Sequence, residues 1–147
     1  MTISLRQAIF AKLKGTSITS LLPGGSASIM LAGRVNVDTV FPCVALELGS
    51  RSGRVAELPF TNQYFHVYVY RGVEAMSTPD FTEIDPIQEA VFNALHGTSL
   101  SLTGVGAKAL YCLHDNYRSG DLFDERRRAY YKYDRYRVNL VLSSHYH

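Results

Sequence analysis

The chain has 147 residues, 46% of them hydrophobic and 19% charged, with a formal net charge of +2. That length suits one domain, spanning residues 1–147, large enough to bury a core without a disulfide or metal staple. The composition is that of a soluble globular protein, and no segment approaches the ~20 apolar residues of a membrane span.

The charge is unevenly spread. From Arg126 onward there are six basic residues and one acidic, a local +5, against nine basic and twelve acidic before it, a local −3. Gly72 to Ala107 carries Glu74, Asp80, Glu83, Asp85 and Glu89 with no Lys or Arg. Two opposite patches on one chain can neutralise internally, or join one copy to the next head to tail, which closes into a ring when the rotation allows.

In chain order, MTISLRQAIFAKLKG has neither the basic start nor the cleavage site of a signal peptide, so a cytoplasmic site of synthesis is expected. Ser4 and Gln7 form a capping-box pattern with Ile3 placed as a staple against Ala8, predicting a first helix with Leu5, Ala8, Ile9 and Leu13 as its apolar stripe, stopped by Gly15. TSITSLLPGGSAS reads as loop, leading into an extended piece from Ile29 to Val37. Phe41 and Pro42 open the strand PCVALELG, in which Val44, Leu46 and Leu48 alternate with Cys43, Ala45 and Glu47. Arg51 to Gly53 is a turn or the tip of an arm. Val55 to Arg71 returns, strongest at QYFHVYVYR, with Phe65, Val67 and Val69 on the buried face. Tyr64, His66, Tyr68 and Tyr70 occupy the other face, under a helix edge or in an interface.

Asp85 as N-cap, Pro86 at the first helical position and Gln88 completing the box predict a second helix, with Ile87, Ala90, Val91, Ala94 and Leu95 inward and Gly97 ending it. Leu100 and Leu102 suit a short edge piece, Ala107 to Asn116 a strand, and DNYRSGDLFDE a polar loop. Arg126 to Ser143 is the longest predicted strand, with Tyr136, Val138, Leu140 and Leu142 on one face and Arg135, Arg137 and Asn139 on the other. The sum is an α+β domain: a mostly antiparallel sheet of about five strands with two helices packed on one face.

No nucleophile elbow, phosphate loop or metal-spaced His or Cys cluster is present in the sequence, so an enzyme is not expected and no catalytic residue, cofactor or metal ligand is assigned. GVGAK at Gly104 to Lys108 precedes a strand and reads as a turn. His66 and Cys43 lie mid-strand without an oxyanion donor, His145 and His147 sit at a terminus, and Cys43 and Cys112 read as buried thiols. The basic, tyrosine-rich last strand also admits a nucleic-acid module using Tyr131, Tyr133, Arg135 and Arg137. Opposing it are the small net charge, the acidic patch and the missing RNA-recognition consensus. A strand whose cations cover tyrosine rings and pair with carboxylates accounts for the same residues.

The order LRQAIFAKLKG, FPCVALEL, YFHVYVYR, IQEAVFNALHG, SLSL and YRVNLVL resembles that of the tail completion or tail terminator proteins of long-tailed bacteriophages and related gene transfer agents. Phe41-Pro42-Cys43-Val44 is similar to the family's proline-led strand, and Ala90 to Gly97 to its helix. The resemblance covers nearly the whole chain and is one of layout. It implies a non-enzymatic virion protein at the head–tail junction, a hexameric ring that caps the tail tube, stops its polymerisation and docks the head or neck. The implied partners are further copies of itself, the major tail tube protein, a head-completion or neck protein, and DNA passing through the lumen without sequence-specific binding; no membrane is involved. Another head–tail joining protein is the neighbouring alternative. By position, Glu83, Asp85 and Glu89 against Arg126, Arg127, Arg128 and Arg135 form the candidate subunit contact. Glu47 to Glu57 and Tyr117 to Arg128 are expected as projecting loops, placing Arg51, Arg54, Glu57, Arg118, Asp121 and Asp124 toward the lumen or neighbouring rings.

Overall fold

The computed structural model describes residues 4–51, 60–73, 83–100, 102 and 107–142. Helix α1 (Leu5–Leu13) begins as its sequence predicts: Ser4 Oγ accepts the Gln7 N–H at 3.2 Å, and Gln7 Oε1 accepts the Ser4 N–H at 2.8 Å. Ala8, Ile9 and Leu13 are its buried stripe, while Ile3 lies outside the described residues. The segment expected to be loop instead contains helix α2 (Thr16–Thr19) and a 3₁₀ turn over Gly25–Ser28. Ile18 and Leu22 are buried, and their burial outweighs a local sequence with little helical preference.

Helix α3 (Ile84–Leu95) buries Ile84, Ile87, Val91 and Leu95. It starts two residues before the expected first position: Glu83 is the N-cap, without a side-chain cap bond. Asp85 therefore lies in the first turn, where a carboxylate still meets the positive end of the helix dipole. Gly97 adopts φ 75° just past the helix, a left-handed backbone that glycine takes without a Cβ penalty.

The strands are β1 (Ile29–Leu31), β2 (Cys43–Arg51), β3 (Phe60–Gly72), β4 (Ala107–Arg118), β5 (Leu122–Asp124) and β6 (Ala129–Leu142). They form one six-stranded sheet in the order β1-β2-β3-β6-β4, with β5 also on β6. Every pairing is antiparallel except β1 with β2. Three expectations change. Ile29–Val37 is a strand only to Leu31, followed by a 3₁₀ turn over Ala32–Arg34. Leu100 and Leu102 pack on the core outside any strand, the local pairing being an isolated bridge from Thr98 to Cys112. The polar loop from Asp115 is mostly ladder, since β4 runs to Arg118 and β5 pairs Leu122 to Asp124 with β6. The strand expected over Ala107 to Asn116 forms and runs two residues further, its end obscured by polar side chains and by two irregularities in the β4 register, between Ala109 and Cys112 and between His114 and Tyr117;. Asn116, at φ 55°, sits inside the second, a conformation asparagine tolerates better than most residues.

The helices gather on one face. Ile9, Leu13, Ile18, Ile87, Val91 and Leu95 pack there on Val44, Leu46, Phe65, Val67, Tyr136 and Val138 in one core. The Phe65 and Tyr136 rings stack at 5.4 Å between centroids. Within this layer Asp134, 1% exposed, accepts two hydrogen bonds from Arg118, at 2.7 and 3.1 Å. A smaller cluster of Val35, Cys43, Ala45, Tyr70 and Ala129 lies on the opposite face.

Candidate interaction surface

The face of the sheet without helices is built from the residues that alternate with the core. On β3 these are Tyr64, His66, Tyr68 and Tyr70, and register sets them beside Arg137, Arg135, Tyr133 and Tyr131 of β6. The rings form a continuous run. Tyr117 lies 5.7 Å from Tyr133, Tyr133 5.0 Å from Tyr68, Tyr68 5.9 Å from Tyr70, and Tyr70 5.2 Å from Tyr131. Such pairs prefer offset or tilted contact, adding up to ~1.5 kcal/mol beyond their burial. One corner is closed by the segment carrying Val35 and Phe41, so Tyr70 is buried; the rest is half-buried or exposed.

The cations of this face are engaged. Arg135 Nε donates to Asp115 at 2.7 Å, and its guanidinium lies 5.5 Å from the Tyr64 ring and 5.7 Å from the Tyr117 ring. Arg137 reaches the same carboxylate at 3.9 Å. Arg127 donates to Asp124 at 2.7 Å and to the Val35 carbonyl at 3.0 Å, over the Tyr70 ring at 5.9 Å.

Burial shifts the titrations here. It lowers His66, with Glu47 opposing and Arg135 reinforcing, so His66 is neutral at pH 7 and its 3.8 Å approach to Glu47 is not an ion pair. Glu47 instead accepts from the Tyr68 hydroxyl at 3.0 Å, which with burial raises the Tyr68 phenol. Burial pushes Tyr70 up to about 12, and the Cys43 and Cys112 thiols likewise to about 12. Cys43 pairs across the ladder with Tyr70 and His66 with Glu47, four residues along or roughly 13 Å, so no thiol–imidazole pair forms. The two cysteines face opposite sides of the sheet, both free and buried.

The acidic and basic residues expected to meet between copies divide into paired and unpaired sets. Arg71 Nε donates to Glu83 at 3.2 Å, and Lys132 Nζ to Asp85 at 2.9 Å. Arg127 and Arg135 are held by Asp124 and Asp115. Glu89, Arg126 and Arg128 are exposed, with no ion-pair partner among the described residues. No acidic residue of α3 pairs with any of the four named arginines within the described chain. Of the residues expected in projecting loops, Arg51 ends β2 and Arg118 ends β4, bound to Asp134. Asp121 contacts Lys132 at 3.2 Å, and Asp124 holds Arg127. Arg54 and Glu57 lie outside the described residues, as do His145 and His147. The stretches Glu47–Arg51 and Tyr117–Arg118 are strand, not loop.

Asp115, Arg71 and Asp121 as counter-ions, and Phe123 as an exposed ring, are functional features with no signal in the sequence. Each depends on register across strands, which alternation alone does not give. Among the described residues no group of three or more His, Cys, Asp or Glu is arranged to hold a metal ion, and no helix is long and apolar enough to cross a membrane.

Comparison with solved structures finds a chain of similar fold in the virion of a native gene transfer agent particle. The TM-score is 0.63 and the identity 16%, over 94% of this chain and 95% of that one. At that identity the likeness is one of fold. No protein-family model matches the sequence, and no curated protein matches it.

Proposed function

We propose that this protein is a structural, non-enzymatic virion component, a tail terminator or completion protein whose copies form a ring. The ring caps the tail tube, stops its polymerisation and offers a docking surface to the head or neck, with DNA passing through its lumen. The observation that carries this reading is the fold shared along nearly the full length of both chains with a gene transfer agent virion chain. The order of sequence elements supports it independently. So does a surface in which Glu89 stands exposed on one element and Arg126 and Arg128 on another, the unlike patches that a head-to-tail contact requires.

Electron microscopy of particles made without this protein tests the reading. Overlong, headless tails are expected; tails of normal length overturn it. Capping of isolated tail tubes separates a terminator from another neck protein, which would bind portal-bearing heads instead.

The tyrosine face is the one observation that favours a nucleic-acid module. Against it, Arg135 and Arg137 share Asp115 and Glu47 is exposed nearby, so a phosphate chain would meet a locally balanced surface. Filter binding over a salt series decides: tight binding at low salt that falls steeply as salt rises would favour nucleic acid.

A further inference from the structure

Beside the first turn of α3 the surface opens into a groove of about 570 Å³, lined by Leu21, Pro23, Phe41, Pro42 and Pro86 with Glu83 among them. Leu21 is 42% exposed and Val40, next to Phe41, 63%. Among the described residues this apolar surface is left uncovered, next to a carboxylate.

At the other edge of the sheet stands a matching projection. Phe123 of β5 is 45% exposed, its ring 5.0 Å from Tyr130. Tyr130 packs against the helix-side core, so Phe123 lies on the same face as the groove. The turn that follows carries Arg126 and Arg128, both exposed.

Register fixes where the two features lie. Phe123 pairs with Tyr130, Tyr130 with Arg71, and Pro42 precedes Cys43, whose partner Tyr70 precedes Arg71. Pro42, Arg71, Tyr130 and Phe123 thus form one row across the sheet, with groove and projection at opposite ends, three strand spacings or about 14 Å apart. The ladders of β3 and β6 hold that separation. A copy displaced sideways along the row can place its projection in the groove of its neighbour.

We infer that the β5–β6 turn of a second copy docks in this groove, Phe123 entering between Leu21 and Pro86 while Arg126 and Arg128 approach Glu83 and Glu89. The contact is heterologous, so each copy keeps one groove and one projection in use and the assembly closes into a ring or continues as a filament. An aromatic anchor in an apolar pocket supplies the affinity, and the charges set orientation. This deepens the assembly reading above, and rests on it, by naming the surfaces that meet.

The test mixes two single variants, Leu21→Cys and Phe123→Cys, under mild oxidation at high micromolar concentration, with the assembly state of the parent protein followed by native mass spectrometry. The native cysteines are buried and do not compete. A disulfide-linked dimer in the mixture, absent from either variant alone, is expected. Phe123→Ser should weaken assembly about thirtyfold, and Arg126→Glu with Arg128→Glu should weaken it further. Both sites are exposed, so unchanged thermal unfolding of the variants separates lost contact from lost fold. If the parent assembles but the mixture links no more than the single variants do, this contact is wrong and the ring reading stands. A monomeric parent whose mixture still cross-links keeps the contact and removes a stable free ring, while a monomeric parent without cross-links overturns this contact and leaves a ring only if the tail tube assembles it, which the electron microscopy above decides.

Discussion

The two faces of the sheet are made by the same strands and differ in almost everything else. On the helix side, Phe65, Val67, Tyr136 and Val138 meet the stripes of α1 and α3 and are 0–2% exposed. On the other, Tyr64, Tyr68, Tyr131 and Tyr133 lie one residue out of phase: Tyr68 meets Tyr131 and Tyr133, Tyr64 meets the Arg135 guanidinium, and all four are half-buried. Alternation at period two lets one sequence encode both. The helix side holds the fold together, and the tyrosine side can change without removing the core.

The sharpest way to break that comparison is to truncate one ring on each face. Phe65→Ala removes a fully buried ring stacked on Tyr136 and should cost about 3–5 kcal/mol in urea unfolding. Tyr133→Ala, which loses contacts with Tyr68, Tyr117 and His66 at a half-buried site, should cost about 1 kcal/mol. Equal losses would mean that the tyrosine face is a second core.

Between these lies the polar pair inside the helix layer. Asp134 is 2% exposed at its side chain and Arg118 41%, so removing either partner leaves a different remnant. Arg118→Ala strands a buried carboxylate beside His114 Nε2 at 3.5 Å, and should cost about 3 kcal/mol. Asp134→Asn leaves a guanidinium that can turn to solvent, and should cost about 1 kcal/mol. The reverse order in chemical denaturation would show that the carboxylate finds water when Arg118 is gone.

How much of this was legible in the sequence follows from which interactions are local. The Ser4–Gln7 cap, the α3 stripe and the alternation of β3 and β6 depend on residues a few positions apart, and each is where the sequence places it. The sorting of Tyr64, His66, Tyr68 and Tyr70 away from the helix-side core was readable for the same reason. What was not readable depends on distant partners. Helix α2 exists because Ile18 reaches the core, and the last two residues of β4 and all of β5 are strand through their pairing with β6. The pairing of Glu83 with Arg71 and of Asp85 with Lys132 needs the strand order. The charge segregation was plain in the sequence, but which charges stay unpaired emerged only from register. The groove and Phe123 had no sequence signal, because exposure of an apolar residue is not written in its neighbours.

The smallest expected effect refines the tyrosine side at its closed corner. Asp124 accepts the Arg127 backbone N–H at 3.0 Å and its guanidinium at 2.7 Å, fixing the turn into β6. Burial alone would raise this carboxyl, but those hydrogen bonds and the Arg127 charge outweigh it and hold Asp124 below the usual carboxylate range. A depressed folded value gives stability that is complete above the unfolded pKa of about 4 and is lost as pH falls through the folded one. The contribution is below about 1 kcal/mol, because both partners keep some contact with water. Asp124→Asn should therefore lower the urea midpoint slightly at pH 6, and the gap between variant and parent should narrow as pH falls below about 4. Other carboxylates titrate in both proteins, so the difference isolates this one. A gap that persists undiminished at low pH would assign the turn's order to the neutral hydrogen bond, and the Arg127 guanidinium over Tyr70 would then be held by the Val35 carbonyl and not by charge.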